Sequence, residues 1–159
     1  MSYNNSNSAY PAYAAFLVAL CFLFFLRVIG QLIQYVHAVA WLPRLETWQG
    51  STLPYGLLLF SQLVILVFML RITSQHVSGC IQRNPIKGKW LLGLGALYFF
   101  SMSARLIIGL ASLSIHPWFN KPLPALFHLV LAAYVLMLAG FHMNWIGKRS
   151  KFTLSEEMR

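Results

Sequence analysis

Four long apolar stretches alternate with short polar connections along the chain, and each stretch is interrupted by polar residues at helical spacing. The stretches run approximately from Ala12 to Val36, Tyr55 to His76, Trp90 to Leu113 and Leu123 to Ile146. Each reaches the ~20 mainly apolar residues needed to cross a hydrocarbon core, and each is too long for a barrel strand. The connections hold the helix breakers: Pro43 and Pro54 in the first, Gly79, Pro85 and Gly88 in the second, Pro117, Pro122 and Pro124 in the third. The pattern predicts four membrane-spanning helices. The first stretch lacks the basic start and small-residue cleavage site of a signal peptide and reads as a retained span.

A polar side chain in hydrocarbon is costly, about 2.5–3.5 kcal/mol for a central arginine on insertion scales. The spacing of the polar residues present is therefore informative. On the first span Arg27, Gln31 and Gln34 stand at i, i+4 and i+7, a single stripe. Gln62, Met69, Thr73 and His76 align on the second, and Tyr98, Ser101, Arg105, Ile108 and Ser112 on the third. The fourth has His128, Ala132, Val135, Ala139 and His142 in one row. Four such faces can be buried together inside a bundle.

Consecutive spans run in opposite directions, which places Arg27, Gln31, Gln62, Arg105 and His128 at similar heights. They predict a polar, net positive pocket in one half of the bundle. No carboxylate lies within a span; the nearest is Glu46, in a connection able to fold back over the pocket. Two arginines in that position must snorkel, bind carbonyls or amides, pair with Glu46, or hold an anion.

The two histidines of the fourth span pose a separate question. His128 and His142 are fourteen residues apart, close to four helical turns and ~21 Å of rise, so both rings face one side. Two imidazoles at two depths suit two stacked b-type haems, each needing a second histidine from another helix. His37 is available for His128 and His76 for His142. The segment resembles the dihaem helix of small four-helix b-type cytochromes, and the resemblance is confined to it. Those proteins have a further histidine near the start of the first helix, where this chain has Tyr10 and Tyr13. The resemblance implies haem b as cofactor; the spacing alone equally suits interfacial or hydrogen-bonding histidines. The small residues Ala125, Ala132 and Ala139, at every seventh position, read as a packing seam, as do Gly93, Gly95 and Ala96.

Composition points to the same solvent. The 159 residues are 58% hydrophobic and 9% charged, against about 25% charged in soluble domains, and the mean hydropathy is +0.65. A net charge of +9 would suit nucleic acid, but the basic residues fall mostly outside the spans. Arg71, Arg83, Lys87 and Lys89 surround the second connection and Lys148, Arg149, Lys151 and Arg159 occupy the tail, against only Arg44 and Lys121 in the other two connections. The positive-inside rule then puts both termini in the cytoplasm. Tyr55, Trp90, Trp118 and Trp145 fall near span ends, where aromatic belts form. Cys21 and Cys80 form no C-x-x-C pair, and no disulfide between them is expected.

Aspartate is absent, and the glutamates are Glu46, Glu156 and Glu157, so a metal hydrolase or carboxylate-driven transporter is hard to build and no catalytic set emerges. The sequence thus predicts an all-α membrane protein. Residues 1–147 form a four-helix transmembrane bundle, and 148–159 form a polar cytoplasmic tail, in an inner or plasma membrane. The favoured function is that of a binding or accessory subunit, not an enzyme. It would hold an anionic or amphiphilic ligand (lipid headgroup, carboxylate or quinone-like) through Arg27, Gln31, Gln62, Arg105 and His128. Its partners are then the bilayer, anionic lipid and other membrane proteins. The alternatives are a b-type haem electron-transfer protein using His37, His76, His128 and His142, and a structural subunit whose arginines pair with acids of another chain.

Overall fold

The computed structural model describes residues 9–48, 54–111, 119 and 121–144, and among these the regular elements are five helices with no strand. They are α1 (Ala9–Val36), α2 (Leu45–Trp48), α3 (Tyr55–Val77), α4 (Pro85–Leu110) and α5 (Pro122–Met143). All but α2 are long and apolar enough to cross a membrane. With 22 to 28 residues, they extend roughly 33–42 Å at 1.5 Å per residue. The fold is that of a small multi-pass membrane protein. Trp118, Trp145 and the basic tail lie outside the described residues.

Two boundaries differ from the sequence pattern. Residues Pro85 and Gly88, read as breakers, belong to α4, which begins at Pro85 instead of Trp90. The Asn84 side chain accepts hydrogen bonds from the Ile86 and Lys87 backbone at 3.0 and 3.1 Å. Pro85 follows at the first helical position, where its missing N–H leaves no bond unmade. Gly88 is buried where α4 meets α5: a Cβ there would stand 2.7 Å from Met143 Cγ and 3.0 Å from His142 Cβ. Likewise Pro122 opens α5 instead of preceding it, and the helix stops where Asn144 turns left-handed at φ 55°.

The bundle buries polar side chains beside its apolar core and presents large apolar ones on its surface. Arg27, Gln31, Gln62, Thr73, His76 and Arg105 are all buried, whereas Phe60, Phe68, Leu97 and Phe100 are 63–69% exposed. In water that arrangement would forfeit most of the hydrophobic drive to fold; in lipid the apolar side chains already have their solvent. The core itself joins Leu17, Cys21, Phe24 and Val28 of α1 to Leu66 and Met69 of α3 and Tyr134 and Leu138 of α5.

Packing is uneven. α5 lies along both α1 and α4, α3 lies along α1, and α2 rests across α1 and α5 at one end. Small residues allow the α4–α5 approach: a Cβ on Gly95 would stand 3.0 Å from Leu136 Cδ2, and Ala125, Ala132 and Ala139 are buried on α5. Gly93, expected in the same seam, has open space around it. Two residues turn a helix by about 200°, so Gly93 and Gly95 face opposite ways. Cys21 and Cys80 are both free thiols.

Candidate functional site

At the end of the bundle capped by α2, Arg27 of α1, Gln62 of α3, Arg105 of α4 and His128 of α5 line one cavity of about 150 Å³. That is the size of an interior cavity able to hold a benzene-sized guest. Periodicity puts each residue there. Arg27 follows Phe24 by one turn on the buried face of α1, and Gln62 precedes Leu66 by one turn on that of α3. Phe24, Leu58, Ile65, Pro124 and Leu131 give the cavity its apolar remainder.

Arg27 is 6% exposed, and its guanidinium carbon stands 5.0 Å from the centre of the Phe127 ring. Its Nε is enclosed without a hydrogen-bond partner, and no carboxylate is among the described residues lining the cavity. A cation over an aromatic face gains roughly 0.5–2 kcal/mol. Withdrawing an ion from water costs several kcal/mol. Phe127 alone does not offset the burial of Arg27.

Arg105, 4% exposed, brings a second guanidinium from α4. Two turns earlier on the same helix, the Tyr98 hydroxyl meets His128 Nδ1 at 2.5 Å, with the two rings edge-on at 74°. This bond uses Nδ1 and orients the imidazole, leaving Nε2 as its other polar atom. Gln31 stands behind Gln62, fully buried, and accepts a hydrogen bond from Gln62 Nε2 at 2.9 Å. The opposite amide atoms, Gln31 Nε2 and Gln62 Oε1, are enclosed without partners. Gln34, on the same stripe, serves the backbone instead: its Oε1 accepts from the Val39 N–H at 3.0 Å, just beyond the end of α1.

The connection after α1 does fold back, but through a different residue from the one its charge suggests. Trp48 lines the cavity at 7% exposure. Its ring stacks on Phe127 with centroids 6.1 Å apart, and its Nε1–H donates to the Pro43 carbonyl at 2.9 Å. Glu46 is exposed and outside the lining. Residues 46 and 48 lie about 200° apart on a helix, so docking the indole turns the carboxylate to water, where its solvation is best.

The four candidate haem histidines lie in three places. His37 lies exposed just past α1, away from the cavity that holds His128. At the opposite end, His76 donates from Nδ1 to the Ile72 carbonyl at 2.8 Å, while His142 Nδ1 accepts from the Asn84 N–H at 3.2 Å. Both rings pack edge-on against buried Phe141, at 4.6 and 5.4 Å between centroids. Phe141 lies against both imidazoles, and His142 also lines a separate cavity of about 390 Å³ with Arg83 and Lys89, whereas the cavity that holds His128, at about 150 Å³, has no volume for a macrocycle. Nothing in this arrangement supports haem b, the cofactor that the resemblance to b-type cytochromes implies. Among the described residues no group of three or more His, Cys, Asp or Glu side chains converges as a metal site.

Three features escaped the sequence reading: Trp48 as the cap, the Tyr98–His128 pair, and Tyr134, whose hydroxyl donates to the Met69 carbonyl at 2.9 Å and meets Thr73 Oγ1 at 2.9 Å. Tyr13, noted only as a replacement for histidine, donates to the Gly140 carbonyl at 3.0 Å. The tyrosines carried a detectable clue, since a hydroxyl on a buried helix face requires a partner. No protein-family model, no curated protein and no solved structure matches the chain.

Proposed function

We propose that this protein is a membrane-embedded binding or accessory subunit that holds an anionic headgroup in the cavity between Arg27 and Arg105. The observation that carries this reading is Arg27: a buried guanidinium beside a cavity that has room for a guest and no carboxylate in its lining. An oxyanion supplies the missing acceptors, and guanidinium groups bind carboxylate and phosphate oxygens in matching fork geometry. Gln62 and His128 add neutral polar contacts that fix orientation. With the basic second connection in the cytoplasm, as the positive-inside rule directs, the cavity lies in the outward half of the bilayer.

The test is the anionic lipid and small-molecule content of the purified protein, measured by mass spectrometry after extraction. The Arg27→Leu/Arg105→Leu double variant should lose a species that wild type retains through gel filtration. Identical content in the two preparations would refute the reading.

A further inference from the structure

The cavity has one closed end and one open side. At the closed end the Trp48 indole is held by the Pro43 carbonyl and by Phe127. It also lies so near Gly30 that a Cβ there would stand 3.2 Å from the ring. A ring fixed on three sides blocks the end of the cavity beneath α2.

On the open side, α3 packs along α1 and α4 along α5, whereas among the described residues α3 and α4 make at most slight contact with each other. Gln62 and Arg105 reach the cavity from the two sides of that gap. Ser61 and Ile65 of α3 line the cavity and are also exposed on the helix surface. The surface around them is apolar, with Phe60 and Phe68 on α3 and Leu97 and Phe100 on α4 each more than 60% exposed. The cavity thus opens sideways onto the surface that faces hydrocarbon, at the depth of two buried arginines.

We infer that the guest comes from within the bilayer, through the gap between α3 and α4. It is a compact oxyanion, a phosphate monoester or a carboxylate, on a hydrocarbon tail that stays in lipid. This inference rests on the anion-binding reading above and adds the guest's source and route. A cavity of about 150 Å³ admits such a headgroup but not a sugar or a bulky zwitterion. A tail already in lipid loses no solvation when its headgroup docks. A free aqueous anion has to displace Trp48 and give up its hydration first.

Binding to the purified full-length chain in phosphatidylcholine nanodiscs tests the route by native mass spectrometry. The probes are dioleoyl phosphatidate and oleate, with inorganic phosphate and acetate as tail-free competitors. Wild type should retain phosphatidate or oleate, and neither competitor should displace it. Ser61→Trp and Ile65→Trp narrow the gap from its lipid side and leave both guanidinium groups in place. Each should weaken lipid binding about tenfold, and Arg27→Leu at least as much. Unchanged affinity in both wall variants, or displacement by phosphate or acetate, overturns the bilayer route while the anion reading stands. Undiminished binding of every probe by Arg27→Leu overturns the anion reading itself.

Discussion

Gln62 Nε2 donates to Gln31 Oε1 at 2.9 Å, a buried amide pair that joins α3 to α1 across thirty-one residues of sequence. Leucine at either position alone leaves the other amide enclosed without its bond. Each single change should destabilise the bundle by about 1–3 kcal/mol. Replacing both should cost less than the sum, with a coupling of about 0.6 kcal/mol, the average of double-mutant cycles on interhelical hydrogen bonds in membranes, and at most about 1.7 kcal/mol. Reversible unfolding in mixed micelles measures the cycle, and strict additivity would show that the pair is not coupled.

Tyr134 ties α5 to α3 through two hydrogen bonds: its hydroxyl donates to the Met69 carbonyl and accepts from the Thr73 hydroxyl. Tyr134→Phe removes both contacts and keeps the ring, so it isolates the hydroxyl. A loss of about 1 kcal/mol is expected. Thr73→Ala should cost less, because Tyr134 keeps its bond to the Met69 carbonyl. An equal or larger effect of the threonine change would assign the tie to Thr73 instead.

Much of this architecture is legible in the chain because lipid makes periodicity unusually informative. Spacing alone places Gln62, Met69, Thr73 and His76 on one face, and all four are buried. A 3.6-residue period over more than twenty positions leaves little freedom in which face turns inward. Shorter elements give no such signal. The four residues of α2 contain one turn, so nothing in "LETW" reveals that Trp48 docks and Glu46 does not. Breaker residues are ambiguous for a related reason: Pro85 and Gly88 end helices in one context and, behind Asn84, begin one and pack it. Partner choice between helices is the other gap. The stripes contain Tyr98 and His128, but their meeting depends on how α4 and α5 rotate against each other, and Gly88 and Gly95 set that contact.

The α4–α5 seam can be tested at its glycines. At Gly88 a Cβ would approach Met143 Cγ to 2.7 Å and His142 Cβ to 3.0 Å. Gly88→Ala should therefore part the helices and lower stability, despite alanine's better helix propensity of up to about 1 kcal/mol. Gly93→Ala meets open space and should be neutral or slightly stabilising by the same propensity. Thermal denaturation in one detergent compares them directly. Equal losses at both positions would place the effect in the backbone of α4, not in its contact with α5.

Arg27 makes opposite demands on the empty and the filled protein. Empty, the bundle carries a buried cation whose Nε has no partner, and removing such a charge is neutral or favourable. Filled, the same cation contributes binding free energy, which stabilises the fold by about 2.7 kcal/mol when the guest is at a hundred times its dissociation constant. Arg27→Leu should therefore match or exceed wild type in thermal midpoint in lipid-free detergent, and should show no rise when phosphatidate is added. Wild type should show that rise. Arg27→Lys keeps the charge but loses the planar fork, so its rise should be intermediate. If the leucine variant instead melts well below wild type with no lipid present, Arg27 serves the fold itself, with Phe127 and the surrounding amides as its sufficient partners.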